Sequence, residues 1–429
     1  MKMRRWAILA MVLGMMLALM PAAGARERHK PSGAIELEGE LRGAPYTIRV
    51  PEDWNGTLVV YAHGYRDKFD HPFDTTDRSL PGGSDAEAAP GGEALENVLL
   101  SQGYAVAGSL YSDDGWAVKE GIADTRRLVN YFNRTIGMPE HTILWGFSMG
   151  SVVTFYLAEH PGTIDGFIPA CGLGAGAPAN WDIGLGLAVA FDAAFGWPAE
   201  WGTVADVRDD LDFETEVFPV LLALLGDPAN QPKFEFMRLV NDFPASFYSE
   251  WLFTDMFFAT EARAEMERRA GGPVQSNFGH TYTVDPLEAG YLGSIGVDVD
   301  GLLTDMNANE VRPDRRARRY VRRYADYTGL INRPVLTMHS AFDGLVLTNN
   351  ESAYTDRVAA RNRSHNLLQV YTEGDNHCGF TGEQLVTAVG AMSYWLQTGS
   401  QPPAALFSEA AGFIPGYQPA PWAQPLPRR

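Results

Sequence analysis

The residues best placed to do chemistry begin with a serine between two glycines, Gly146-Phe147-Ser148-Met149-Gly150. An apolar run, Thr142-Ile143-Leu144-Trp145, leads into it, and Val152-Val153-Thr154-Phe155-Tyr156-Leu157-Ala158 follows. Strand, sharp turn and helix is the context in which G-x-S-x-G lifts a serine hydroxyl out of a sheet edge. Such a turn leaves almost no room for side chains at its flanks, hence Gly146 and Gly150. The Met149 N–H then points to where an oxyanion would form. Serine is a poor nucleophile at neutral pH and needs a base, which in turn needs an orienting acid. The expected order along the chain is serine, acid, histidine. Asp343 stands in Ser340-Ala341-Phe342-Asp343-Gly344-Leu345-Val346, just past an apolar run ending at His339. His377 stands in Gly374-Asp375-Asn376-His377-Cys378-Gly379, just past another ending at Tyr371. Ser148, His377 and Asp343 are therefore the expected catalytic triad. Asp375 is the competing acid. It lies only two residues before the histidine, too close to reach behind the ring, and reads as a turn former. His339 and His365 read as packed or strand-flanking residues.

These side chains need a scaffold. Residues 34–51 alternate as two antiparallel strands, Ile35–Glu38 and Tyr46–Val50. Thr57 to Ala62 is a continuous β-branched run, a strand buried on both faces. It ends in His63-Gly64-Tyr65, where Gly64 lets the backbone approach closely. The Tyr65 N–H is the expected second oxyanion donor, and His63 reads as a structural member of that loop. Glu93–Gln102 fits a helix, Ala105–Ser109 a strand, Trp116–Asn133 a helix and Ile164–Ala170 a strand ending at Cys171. Between them, residues 66–92 carry Asp67, Asp70, Asp74 and Asp77, read as a solvated loop in preference to a calcium site. Strand rhythm returns at Pro334–His339 and Leu367–Tyr371, with helices near Asn350–Arg361 and Thr381–Gln397. The Pro-rich tail, 401–429, is expected on the surface.

The alternation breaks between residues 172 and 331, which are helical where periodic and rich in large aromatics such as Trp181, Trp197, Trp201, Trp251, Phe257 and Phe258. The expectation is one α/β core, 26–171 and 332–429, with a helical lid or cap at 172–331 closing over the carboxyl edge of the sheet. The alternative is a second domain with its own task. Seven arginines at 312, 315, 316, 318, 319, 322 and 323 fall on a helix of this insertion, with Tyr320 and Tyr324 on its apolar side. They read as a solvated face offsetting an acidic protein, in preference to an anion clamp.

The chain has 34 Lys and Arg against 53 Asp and Glu, a net charge of −19. That balance argues against a nucleic-acid partner. Lys2, Arg4 and Arg5, the apolar run Trp6–Met20 and the small residues Ala23-Gly24-Ala25 read as an export signal, 1–25, cleaved after Ala25. The run is short for a membrane span of roughly 20 residues. A secreted or periplasmic protein with no anchor after cleavage is expected. Its only two cysteines, Cys171 and Cys378, invite a disulfide in that setting, the alternative being two separate buried thiols.

Taken together, the His63-Gly64 pair, the Ser148 turn and the Asp343 and His377 positions resemble the α/β-hydrolase superfamily over roughly 45–171 and 332–397. The resemblance implies a doubly wound, mostly parallel sheet, a Ser-His-Asp triad, no cofactor and hydrolysis of an ester or amide. It does not account for the insertion. Tyr65 after His-Gly, with Ser148-Met149-Gly150, is similar to the oxyanion pair of cutinases and polyester hydrolases, which are shorter and lidless. His377-Cys378 is similar to tannases and feruloyl esterases, where a cysteine after the histidine bridges to one before the serine. Phe147 occupies that position here, so a bridge from Cys378 would have to reach Cys171. The expected activity is hydrolysis of carboxylic esters, small or polymeric, with the aromatic insertion suiting bulky apolar or aromatic groups. An amidase or aminopeptidase on the same triad is the alternative. An intact triad and oxyanion loop argue against a non-catalytic binding protein, and the oligomeric state is left open.

Overall fold

The computed structural model describes residues 33–66, 86–246, 251–374 and 376–422. The expected export signal, the four loop aspartates from Asp67 to Asp77, Asp375 and the last seven residues of the tail lie outside the described residues.

Ten strands are present among them: β1 Ile35–Leu41, β2 Ala44–Val50, β3 Thr57–Ala62, β4 Ala105–Ser109, β5 His141–Phe147, β6 Gly166–Ala170, β7 Gly202–Thr203, β8 Asp206–Val207, β9 Val335–Ser340 and β10 Leu367–Thr372. Eight form one sheet in the order β1-β2-β4-β3-β5-β6-β9-β10. Only β2 runs antiparallel to its neighbours, and every other pairing from β4 to β10 is parallel. The helices are α1 Glu93–Ser101, α2 Val118–Thr135, α3 Met149–Glu159, α4 Ala177–Phe195, α5 Phe218–Leu225, α6 Gln231–Val240, α7 Leu252–Ala259, α8 Glu261–Ala270, α9 Pro286–Ser294, α10 Val299–Ala308, α11 Arg315–Ala325, α12 Asn350–Ala360 and α13 Gly382–Thr398.

The two-faced burial of the central strands explains their apolar runs. Along β3, Leu58, Val60 and Ala62 enter the core under α2 and α3, while Val59 and Tyr61 enter the core under α1 and α13. On β5, Leu144 joins the first core, and Ile143, Trp145 and Phe147 join the second. Each fully buried side chain of this size contributes on the order of 1.5–3 kcal/mol. The last helix is sharply delimited. Thr381 and Gln384 form a capping box at its start, and Gly399 adopts a left-handed conformation just past its end.

The described part of the tail departs from the surface expectation. Phe407 and Phe413 are buried in the core under α13, and Ile414 N–H donates to the Tyr371 carbonyl at 2.8 Å. Two aromatics spaced along an otherwise aperiodic segment are enough to anchor it.

Residues between β6 and β9 form a separate layer of helices, α4 to α11, with the two-residue hairpin β7–β8 and a short π-helical turn at Phe213–Val217. Their aromatics stack on one another, as in Phe191 against Trp201 at 5.7 Å and Phe213 against Phe257 at 5.7 Å. A charged clasp ties this layer to the sheet domain. Arg269 on α8 reaches Asp113, Glu120 and the Asp114 carbonyl, while its neighbour Glu265 accepts from Trp116 N–H. On α11, Arg318 is drawn inward to a bidentate pair with Asp182, leaving Arg315, Arg316 and Arg319 exposed. The solvated reading therefore holds for only part of that helix. Tyr324 packs toward Tyr156 of α3.

Candidate active site

Ser148 sits between β5 and α3 with φ 53° and ψ −121°, a left-handed conformation that a side chain rarely adopts. The turn holds because the flanking positions carry nothing. A Cβ on Gly146 would lie 2.1 Å from the Gly150 carbonyl oxygen, and one on Gly150 would lie 2.0 Å from that of Ala62. Ser148 N–H donates to the Ala170 carbonyl of β6 at 3.2 Å, which fixes the turn to the neighbouring strand. Met149 opens α3, so its N–H belongs to the first turn, where no helical carbonyl is available to it.

Asp343 lies in the loop after β9, fully buried. Its Oδ1 accepts the N–H groups of Leu345 and Val346 at 3.0 and 2.9 Å. Its Oδ2 accepts from Nδ1 of His377 at 2.8 Å. Burial by itself would raise the carboxyl, but His377 and His339 beside it outweigh this and hold Asp343 well below the usual carboxylate range. With Nδ1 committed to donating, a neutral His377 leaves Nε2 as the acceptor. That atom is buried and has no hydrogen-bond partner.

Cys171 and Cys378 form a disulfide with a Cα–Cα distance of 5.2 Å. One cysteine follows the strand that holds Ser148 N–H, and the other follows His377. Both sulfurs lie within 4.8 Å of a His377 ring nitrogen, so the bridge sets the histidine loop beside the serine turn. Its two sulfurs are bonded to each other and are not thiolate ligands.

Tyr65 is buried in the loop after β3, its ring edge-on to Phe258 at 5.3 Å and to Phe257 at 6.1 Å. The adjacent His63 has its Nδ1 2.7 Å from the Gly64 carbonyl oxygen and stacks on Tyr111, in keeping with a structural part. The expected residues thus gather at one sheet edge, at the ends of β3, β5, β6, β9 and β10.

Three residues here do more than sequence reasoning gives them: His339 reads there only as packed or strand-flanking, Trp251 only as one of the insertion's aromatics, and Asp255 is not singled out. His339 is the last but one residue of β9 and is fully buried. Its Nε2 faces the Val346 carbonyl at 2.8 Å and Asp343 Oδ2 at 3.4 Å, and its Nδ1 faces Glu351 at 3.2 Å. Burial alone would lower its affinity for protons, but acceptors on both ring nitrogens push it up to about 10. Trp251, just before α7, covers the Asp343 loop, and Asp255 of α7 is buried near Asp343. The available signal was an aspartate in an otherwise apolar helix, Phe253-Thr254-Asp255-Met256-Phe257-Phe258. His365, by contrast, is exposed beside β10 as expected.

No family model matches the chain. A segment of 135 residues is 29% identical to the o-phthalyl amidase of Xanthobacter agilis, covering 30% of this chain and 25% of that protein. Among solved structures, the chain is similar to Est1E from Butyrivibrio proteoclasticus, with 14% identity, a TM-score of 0.39 and coverage of 86% of this chain and 100% of that one. It is also similar to the proline iminopeptidase of Mycobacterium smegmatis, with 11% identity, a TM-score of 0.40 and coverage of 85% and 99%. An esterase of Pyrococcus furiosus shares 12% identity at a TM-score of 0.37, over 88% and 97%. The eight-stranded order with only β2 antiparallel to its neighbours, and the strained serine turn between β5 and α3, are those of the α/β-hydrolase fold, and this chain has that fold.

Proposed function

We propose that the protein is a serine hydrolase of carboxylic esters. The observation that carries this reading is the bond from His377 Nδ1 to Asp343 Oδ2 at 2.8 Å, which leaves Nε2 buried and unpartnered. Ser148 Oγ attacks the ester carbonyl while His377 Nε2 takes its proton. Asp343 keeps the ring in the required tautomer and stabilises the imidazolium. The Met149 and Tyr65 N–H groups hold the oxyanion of the tetrahedral intermediate. Its collapse expels the alcohol, which receives the proton from His377, and leaves an acyl-enzyme. Water then repeats the sequence and releases the acid.

The helical layer from residue 172 to 331 acts as a cap in this reading, because the rings of α7 lie against the oxyanion loop. Its aromatic lining suits bulky apolar or aromatic groups. Export after cleavage at Ala25 completes the proposal. The disulfide is consistent with an oxidising compartment. No helix among the described residues is long and apolar enough to cross a membrane.

The same machinery cleaves an activated amide, and the partial likeness to an amidase favours that as the second reading. A p-nitrophenyl ester series beside matching anilides, with Ser148→Ala as control, separates the two. Ester turnover abolished in the variant, with anilides untouched, supports the esterase, and anilide turnover supports the amidase. Activity that survives in Ser148→Ala overturns the mechanism.

A further inference from the structure

Trp251 and one face of α7, which it precedes, run from the Asp343 loop to the Tyr65 loop. Trp251, Asp255 and Phe258 stand at i, i+4 and i+7, which aligns them along one side of a helix. Trp251 lies on the acid loop so closely that a Cβ on Gly344 would come within 2.1 Å of its Cδ1. Phe258 lies against Tyr65, ring centroids 5.3 Å apart, and near Trp181 at 6.4 Å. Asp255 therefore stands between Trp251 at the Asp343 loop and Phe258 at the Tyr65 loop.

Asp255 is only 6% exposed, and its Oδ2 has no hydrogen-bond partner. Among the described residues, no basic side chain forms an ion pair with it. Burying a carboxyl in this way is costly and calls for a compensating group. Asp343 does not supply one, since it is itself anionic and already carries two histidines and two backbone N–H groups. Burial, and then Asp343, raise the Asp255 carboxyl well above its ordinary range, a shift that a cation docked against it would oppose. The surroundings suit such a cation. Phe258, one turn on from Asp255, packs with Tyr65 and Trp181, and aromatic rings attract positive charge at their faces. The −19 net charge favours the approach of a cation.

We propose that Asp255 is a specificity-determining residue that binds a protonated amine on the substrate, with the α7 aromatics enclosing the adjoining apolar group. The proposal rests on the serine-hydrolase reading for its link to turnover, but amine binding itself does not require the triad to work. Esters or amides bearing an ammonium group near the scissile carbonyl are then the preferred class, ahead of their deaminated analogues.

The test separates the two claims. Thermal unfolding is followed with increasing benzylammonium, and with benzyl alcohol as the neutral match, for the wild type, Ser148→Ala and Asp255→Asn. The expected result is saturable stabilisation by benzylammonium in the wild type and Ser148→Ala, weakened more than about tenfold in affinity in Asp255→Asn, where a charged partner has been lost. Hydrolysis of the p-nitrophenyl esters of phenylalanine and of 3-phenylpropanoic acid gives the second readout. The wild-type preference for the amino ester should shrink in Asp255→Asn through KM, with the neutral ester little changed. Equal response of the wild type to benzylammonium and benzyl alcohol overturns the proposal without any variant. A parallel fall of both esters in Asp255→Asn assigns the residue to structure and also overturns it. Benzylammonium binding without any esterase or amidase turnover leaves the amine site standing and removes the proposed function instead.

Discussion

His339 Nε2 lies 3.4 Å from Oδ2 of Asp343, the same oxygen that receives the His377 Nδ1 proton at 2.8 Å. Asp343 thus sits between two histidines, His377 on one side and the interior His339 on the other. The inner ring continues to Glu351, which is itself held by Thr337 and Gln369. A buried relay of this kind fixes the acid in one orientation, since each member's donors and acceptors are already spoken for.

His339 sets a pH limit on stability. Its ordinary value is 6.5 and its folded value about 10. A raised folded value means that the native state holds the proton more tightly. The contribution is fully present below 6.5 and is lost as pH rises from there through about 10. Denaturant unfolding of the wild type should show its midpoint falling over that window, and His339→Gln should show a flatter profile. His339→Phe should cost about 3–5 kcal/mol at neutral pH, because Asp343 and Glu351 would be left buried without it.

Replacing Asp343 by asparagine keeps the side-chain shape but reverses the hydrogen-bond demand on His377. Turnover should fall about 10⁴-fold, with the far-ultraviolet circular dichroism unchanged. Because Asp343 is held below the usual carboxylate range, the acid limb of the wild-type rate profile should not report its protonation. A limb that vanishes on replacing Asp343, with turnover otherwise retained, contradicts that assignment.

The serine turn tolerates no added carbon. Gly150→Ala would place a Cβ 2.0 Å from a backbone oxygen of β3, which has no side-chain freedom with which to yield. The expected outcome is loss of soluble expression or a melting temperature far below wild type. Gly290, with nothing within 4 Å of its built Cβ, serves as the control, and Gly290→Ala should be tolerated.

The disulfide joins residues 207 apart in sequence. In the loop-entropy account a crosslink of that span contributes about 5.4 kcal/mol. Reduction, or Cys378→Ser, should lower the unfolding midpoint accordingly. It should also lower kcat in the folded population, because His377 precedes the released cysteine. Full activity under complete reduction would separate the bridge from the geometry of the base.

The positions of Ser148, Asp343 and His377 past strand ends were legible because each follows a strand whose apolar run is visible and whose turn residues are local. The sheet was legible for the same reason. His339 was not, since its meaning depends on Val346 and Glu351, which reach it only through the packing of α12 on the sheet. Asp255 was hidden likewise, as a single polar letter in an apolar helix whose neighbours come from two distant loops. The hairpin Gly202–Val207 and the π-helical turn at Phe213 obey no periodicity long enough to read. Their shapes come from contacts such as Arg208 with the Glu200 carbonyl and Glu216.

The place where the helical layer enters the chain has a consequence for biogenesis. Ser148 and Cys171 are made before residues 172–331, and Asp343, His377 and Cys378 only after them. A growing polypeptide therefore carries Ser148 through about half of its synthesis before Asp343 and His377 have been made. The covalent bridge that seats the base encircles the entire intervening segment. Ser148, Asp343 and His377 can be brought together only once residue 378 has emerged and the two sulfurs can meet.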